Sequence, residues 1–279
     1  MSKRVWIVGP IAWDSVYYVD QLPSAGNFAQ STRNIERPGG TAANSAIGIA
    51  STGIETGFVG YVGDDAHSEN LMKTLHDSGV KNLHMQKLQG PPSHVLIVID
   101  KQGERTIIGL SEDRLGTVTL EGADLKPGDI VVFQLWRDHF KKDLEIAKRA
   151  GCFTIVGIEA LSSDITADIA IGSASDSTAQ DKVESHLGRF SRIVVTHGAQ
   201  GATEYSDKGI TNQAAHSVKA VDATGAGDAF LAGYVSALAK GEESGVERMK
   251  IGSAWAALAV QSESSIAPQW RDVERFLSR

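Results

Sequence analysis

The chain has 279 residues, of which 42% are hydrophobic and 22% charged, with a formal net charge of −7 and one cysteine. This suits one large α/β domain or two small ones, offers no basic block for nucleic acid, and contains no apolar run long enough to span a membrane. Cys152 alone excludes an internal disulfide, and its place at the head of an apolar run reads as a buried thiol rather than a nucleophile. A cytoplasmic enzyme fits these bounds.

The basic start, Ser2-Lys3-Arg4, leads into Val5 to Val8, too short an apolar run for a signal peptide. That run suits a strand buried on both faces, ending at Gly9-Pro10. Val16 to Val19 is a second β-type run, and Asn27 to Arg37 is polar and partly extended. Gly39-Gly40 opens a small-residue stretch, Thr41 to Thr52, with helical apolar spacing. Thr56 to Val62 predicts a strand, and Ser68 to Ser78 a helix ended by Gly79. His94 to Asp100 and Glu104 to Ile108 form a hairpin pattern about Lys101-Gln102-Gly103. Then follow a strand at Ile130 to Leu135, a helix at Lys141 to Ala150, strands at Phe153 to Ile158 and Ile169 to Ile171, part of a helix at Val183 to Leu187, and a strand at Ile193 to Thr196. Two β runs flank Gly209, and Ser217 to Val221 looks like a strand leading into a glycine turn. Helices at about 228–240 and 247–261 come last.

Strands alternating with helices predict a doubly wound α/β core, with ligands beyond the carboxyl ends of the strands. The early strand pairs, about 14–36 and 92–110, break the alternation and predict a small separate sheet over the site. No internal repeat or low-complexity linker is present.

The most informative stretch is Val221-Asp222-Ala223-Thr224-Gly225-Ala226-Gly227-Asp228-Ala229-Phe230. Small residues let a ligand approach the backbone, and the free N–H groups of the following helix attract anions. Asp228 is then either a first-turn cap or, in a phosphoryl-transfer site, the base that accepts a hydroxyl proton. Asp14, placed after the first strand, suits vicinal sugar hydroxyls or a plain turn. Gly39-Gly40 with Asn44 gives close backbone approach plus an amide that donates and accepts. Arg105 beside the hairpin suits a phosphate or acidic sugar group, or solvent. Thr196-His197-Gly198-Ala199-Gln200-Gly201 follows a strand and reads as nucleotide-lining or as turn chemistry. A P-loop, a dinucleotide-binding Gly-x-Gly-x-x-Gly, a zinc spacing and a Gly-x-Ser-x-Gly elbow are all missing.

In order, these pieces resemble the ribokinase-like, or PfkB, carbohydrate kinases over almost the whole chain. The family's Asp-Thr-x-Gly-Ala-Gly-Asp-x-Phe is Asp222 to Phe230 here, with Ala223 in place of Thr. Its N-terminal signature is matched by Gly39-Gly40-Thr41-Ala42-Ala43-Asn44, and its Gly-x-Val-Gly-x-Asp by Gly60-Tyr61-Val62-Gly63-Asp64-Asp65. The resemblance implies a single domain over 1–279, with a three-layer α/β/α core, a mostly parallel sheet and a small β-sheet lid. It implies a sugar bound by Asp14, Gly40, Thr41, Asn44 and Arg105, and ATP along Thr196, Gly198 and Gly201. Gly225, Ala226 and Gly227 become the anion hole and Asp228 the base. Mg2+ arrives with the nucleotide, held by phosphate and water rather than a protein metal site; K+ is left open as an activator. Homodimerisation through the lid strands is implied as well.

The departures lie around the nucleotide. Asn-x-x-Glu becomes Ser173-Ala174-Ser175-Asp176, with Asp176 standing in for Glu. The lysine often found after the paired glycines is Thr41. Gln261-Ser262-Glu263-Ser264 stands where a late glycine is expected. Arg105 and Glu159 resemble the ketohexokinase-like branch, and Trp13 to Val19 is similar to kinases of modified ketoses. An ATP-dependent kinase acting on a primary hydroxyl of a ketose or related sugar is the leading expectation. The alternatives are a nucleoside kinase of the same fold and a non-catalytic sugar or nucleotide sensor. The dipole of the helix is expected to depress the pKa of Asp228 and keep it ionised.

Overall fold

A computed structural model of the chain describes residues 2–110, 113–175 and 183–278. Its elements run β1 (Val5–Val8), β2 (Ala12–Val19), β3 (Ser31–Gly39), α1 (Thr41–Ser51), β4 (Thr56–Val62), α2 (Ala66–Asp77), β5 (Asn82–Lys87), β6 (Ser93–Ile99), β7 (Arg105–Gly109), β8 (Ile130–Phe133), α3 (Lys141–Arg149), β9 (Phe153–Gly157), β10 (Ala167–Ser173), β11 (Phe190–Thr196), β12 (Ala202–Ser206), β13 (Gly209–Gln213), α4 (Ala226–Ala239), α5 (Gly245–Ala259) and α6 (Trp270–Leu277). No helix among the described residues is long and apolar enough to cross a membrane.

The continuous apolar strands form the centre of a nine-stranded sheet in the order β13-β12-β11-β10-β9-β8-β1-β4-β5. From β11 to β5 every pair is parallel, and β12 and β13 add an antiparallel edge. Burial on both faces is why these strands lack a polar side. Successive residues point to opposite faces. Val5 and Ile7 of β1 therefore pack with residues of α1, α4 and α5, while Trp6 and Val8 pack with Phe140, Leu144 and Ala147 on the α3 side. The result is an α/β protein with helices on both faces of a mostly parallel sheet, as expected.

The early strand pairs form a second sheet, β3-β2-β6-β7, with its own small core of Val16, Ile97 and Ile99. Cross-strand partners share a face, so the registers Asp14↔Arg37 and Tyr18↔Ile99↔Arg105 put Asp14, Arg37, Tyr18 and Arg105 on one side of it.

Several expectations need correction. Residues 217–221 are not a strand: the N–H groups of Val221 and Asp222 both bond Val260 O, outside the sheet, and Val221 is exposed. Asp14 does not end β1 but lies inside β2 of the smaller sheet. The helix expected over 183–187 is a short 3-10 turn, Val183–His186. β5 and α6 escape the sequence reading although both carry their period: Leu83 and Met85 alternate with polar residues, and Trp270, Val273, Phe276 and Leu277 recur at helical spacing and pack on the core. The Gly60–Asp65 match is structural. A side chain at Gly63 would collide with Gly90 and Pro91, and Asp65 caps α2 by accepting from Ser68 N at 2.8 Å.

α4 carries Asp228, and its position is fixed by close approach to α5. A Cβ on Gly233 would lie 2.8 Å from Gly252 Cα, so the two glycines let the backbones touch. Beside them Tyr234 donates to Glu204 at 2.5 Å, and buried Arg248 spans both Glu204 oxygens at 3.1 Å, tying β12 to α4 and α5. We expect Gly233→Ala to force the helices apart and destabilise the protein by about 1–3 kcal/mol, the usual cost of overpacking. Thermal unfolding measures it; an unchanged midpoint would show that the helices have room to shift.

Candidate active site

The head of α4 is built by Gly225. Its φ of +79° is left-handed, and a Cβ there would stand 2.5 Å from Ser265 O, so glycine is required on both counts. The first-turn N–H groups of Gly227 and Asp228 make no backbone hydrogen bond, and a Cβ on Gly227 would meet nothing within 4 Å. Donors without a backbone partner thus lie at the positive end of a 14-residue helix, with open space beside Gly227. Thr224 N donates to Asp222 Oδ1 at 2.7 Å, which sets the turn before it.

Asp228 is buried there, and both of its oxygens accept an amide N–H. Asn44 of α1 donates Nδ2 to Oδ2 at 2.9 Å, and Gln134, immediately after β8, donates Nε2 to Oδ1 at 2.9 Å. Ser45 Oγ holds the Asp228 carbonyl at 3.1 Å. Asn44 reaches this place because Gly40, at φ +97°, turns the chain from β3 into α1 within contact of Ile11 and Pro10. The carbonyl oxygens Asn44 Oδ1 and Gln134 Oε1 are buried without partners, as is Thr41 Oγ1.

The expectation of a depressed Asp228 pKa is overturned. Burial pushes it up to about 7; the Asn44 hydrogen bond and the Arg105 charge oppose that, nearby Asp14 reinforces it, and the Gln134 hydrogen bond opposes it again. Loss of hydration at the closed base of the site outweighs the helix dipole. Asp14 is likewise raised to about 6 by burial, with Arg37 opposing and Glu36 reinforcing. Its carboxylate lies against Gly39, where any side chain would displace it.

The Asn44–Asp228 bond brings the heads of α1 and α4 together, and the charge of Asp14 is felt at Asp228. Arg105 lies on exposed β7 but on the face shared with Asp14, and its charge is felt at Asp228. Thr196 ends β11, and Gly198, at φ +56°, faces open space in the short turn that follows. Gly201, at φ +105°, packs against the backbone of residues 213–215, a structural role. Asp176 lies outside the described residues. Cys152 is half-buried, and burial raises its thiol to about 11, which removes it as a nucleophile at neutral pH. No group of three or more His, Cys, Asp or Glu among the described residues could hold a metal ion.

Sequence reasoning missed Gln134 and Arg37. Gln134 follows a strand at its carboxyl end, where ligands of parallel sheets bind, and that position was its only signal. Arg37 stands two residues before the paired glycines.

The chain matches the model of the pfkB family carbohydrate kinases over residues 2–134 and 129–272. An ATP-dependent ribose-1-phosphate kinase from Halopiger xanaduensis is 29% identical to it, covering 99% of this chain and 98% of its own. A fructokinase from Escherichia coli is 29% identical over 85% of each chain. Among solved structures, Arabidopsis thaliana ribokinase complexed with ribose and ATP superposes with a TM-score of 0.78 at 23% identity, over 100% of both chains.

A carboxylate raised in the folded state stabilises the fold at low pH and loses that contribution as pH rises through the folded pKa. For Asp228 the window runs from about 4 to about 7. Asp228→Asn is expected to raise the melting temperature by a few degrees at pH 8 and to change it little near pH 4, since Asn44 or Gln134 can flip to offer its free carbonyl. Melting curves across pH test this; an equal shift at both ends would point to packing instead.

Proposed function

Since the chain belongs to the pfkB carbohydrate kinase family and is an ATP-dependent carbohydrate kinase, we propose that it phosphorylates a primary hydroxyl of a ketose or related sugar, with Asp228 as base. The observation that carries this is the placement of Asp228. It is buried at the head of α4, fixed by two amides, and adjoins first-turn N–H groups that make no backbone hydrogen bond.

In this reading the smaller sheet is a lid, and both sheets serve one site as a single unit over 1–279. Asp14 accepts hydrogen bonds from sugar hydroxyls, and the orphaned oxygens of Asn44, Gln134 and Thr41 take others. The attacking hydroxyl gives its proton to Asp228 as its oxygen bonds to the γ-phosphorus of ATP and the bond to the bridging oxygen breaks. The N–H groups at Gly225 to Gly227 hold the charge on the transferred group. With a loose transition state, alignment and charge neutralisation supply most of the rate. A base near pH 7 is well matched to accept a proton at neutral pH. The nucleotide lies along Thr196, Gly198 and Gly201. Mg2+ would neutralise its phosphates when bound, held largely by phosphate and water. A homodimer through the lid fits its edge strand β7, which exposes Ile107 and Ile108, with Leu110 just beyond. The cytoplasm is the proposed place of action.

ADP release from Mg-ATP with a panel of ketoses, aldoses, sugar acids, sugar phosphates and nucleosides tests the proposal; exchanging K+ for Na+ reads any monovalent activation. Asp228→Asn is expected to lower kcat by several orders of magnitude with ATP still bound, and Asp14→Ala to act mainly on the sugar KM. Near-normal turnover in the first variant removes Asp228 from the role. Turnover of nucleosides alone selects a nucleoside kinase, and stabilisation by ligands without ADP selects a sensor.

Arg105 makes a separate prediction. Its charge already reaches Asp228 across the site, so it favours an acceptor with an anionic group. Arg105→Ala is expected to lower kcat/KM for sugar acids or phosphates roughly tenfold more than for neutral sugars, as loss of a charged hydrogen bond does. Equal losses on both would leave Arg105 as a general electrostatic contributor.

A further inference from the structure

Arg37 lies on β3 directly across from Asp14. Its Nε is 3.9 Å from Asp14 Oδ2, and its Nη2 is 3.9 Å from Asp222 Oδ2. The side chain is 12% exposed, and the two carboxylates 5% and 2%. One carboxylate belongs to the acceptor side of the site. The other begins the turn that presents the phosphate-binding N–H groups, through its bond to Thr224 N. The remaining nitrogen, Nη1, donates to the carbonyl of Glu263. Arg33, on the same strand, grips the Glu263 carboxylate at 2.6 Å. The late loop held in this way supplies the Ser265 carbonyl that backs Gly225.

The unmade bonds matter most. Arg37 Nε, Arg37 Nη2 and Asp222 Oδ2 are all buried without a hydrogen-bond partner. A purely structural ion pair at this depth is normally closed by hydrogen bonds, because desolvated charges left apart are costly. Charged N–H···O bonds form near 2.7–2.9 Å, so each gap closes with a shift of about 1 Å. A guanidinium fork can make both bonds at once, whereas an ammonium cannot.

We propose that Arg37 is a positioning residue that ties Asp14 in the lid to the phosphate-binding turn through Asp222, so that seating either substrate tightens the hold on the other. The sugar draws Asp14 and the lid inward, Arg37 follows, and Asp222 with its turn is pulled into register. The coupling is reciprocal, as any linkage between two binding free energies must be. The proposal rests on the assignment of Asp14 to the sugar and of the 225–227 turn to the phosphate.

The test compares wild type, Arg37→Ala, Arg37→Lys and Asp14→Ala in steady-state kinetics. Binding of a non-hydrolysable ATP analogue is measured with and without sugar, and guanidinium ion is added at low millimolar concentration against a sodium control. Arg37→Ala is expected to raise KM for both sugar and ATP roughly tenfold or more. It should also abolish the tightening of analogue binding by sugar and regain part of both losses with guanidinium. Arg37→Lys, which keeps the charge without the fork, should lie between, with a melting temperature near wild type, and it serves as the test if the alanine variant does not fold. Unchanged KM values with kcat scaled to the folded fraction would reduce Arg37 to a structural residue and overturn the proposal. So would a rise in one KM alone, or wild-type values in Arg37→Lys. An unaltered sugar KM in Asp14→Ala would remove the site assignment and the proposal together, whereas a raised one beside a normal Arg37→Ala sinks Arg37 alone.

Discussion

Two carboxylates buried in one dehydrated site are the constraint on which the rest of this structure depends. Asp14 and Asp228 are each raised by burial, and the charge of Asp14 raises Asp228 further. Water would relieve that repulsion, but a phosphoryl-transfer site excludes water. The protein opposes it instead with two amide donors on Asp228 and with arginines set on the smaller sheet, Arg37 beside Asp14 and Arg105 whose charge is felt at Asp228. The carboxylates are thus held just short of permanent ionisation. That suits the role proposed for Asp228, in which it gains a proton and releases it in each cycle.

The backbone around these side chains is arranged by contact rather than by flexibility. Gly225 meets Ser265 O, Gly40 meets Ile11 and Pro10, Gly39 meets the Asp14 carboxylate and Gly233 meets Gly252. Each is a place where one added methyl group would push neighbouring atoms apart. The heads of α1 and α4 converge because their glycine turns let them, and Asn44 bonds Asp228 across 184 residues of sequence only because both heads arrive together.

Much of this was legible in the sequence, for definite reasons. Strands buried on both faces read as unbroken apolar runs, so β1, β4, β8 and β9 were visible. Gly39-Gly40 and Gly225 were visible because glycine there is dictated by φ or by close approach. Elements held by tertiary contact were not. β5 shows only two alternating apolar residues, Leu83 and Met85, and 217–221 has β-type residues but lies off the sheet, with the Val221 and Asp222 N–H groups turned to Val260. Gln134 and Arg37 escaped because each is common at a strand end or on a strand, and only register shows what it faces. The pKa of Asp228 was misjudged because the helix dipole is local and can be read from sequence, whereas desolvation depends on everything folded around it.

The polar groups left without partners complete this picture. Asn44 Oδ1, Gln134 Oε1, Thr41 Oγ1, Thr224 Oγ1, Asp222 Oδ2 and two nitrogens of Arg37 are buried and unpaired, and they cluster about the two carboxylates and the turn before α4. Such groups cost stability and are rare in a well-packed interior unless something else uses them. A polyol brings several hydroxyls, each able to donate and accept. In the proposed reading its arrival would satisfy the acceptors around Asp228 while Arg37 closed on Asp14 and Asp222. In that reading, stability withheld from folding is recovered on binding, at the place where the hydroxyl is aligned with the phosphorus.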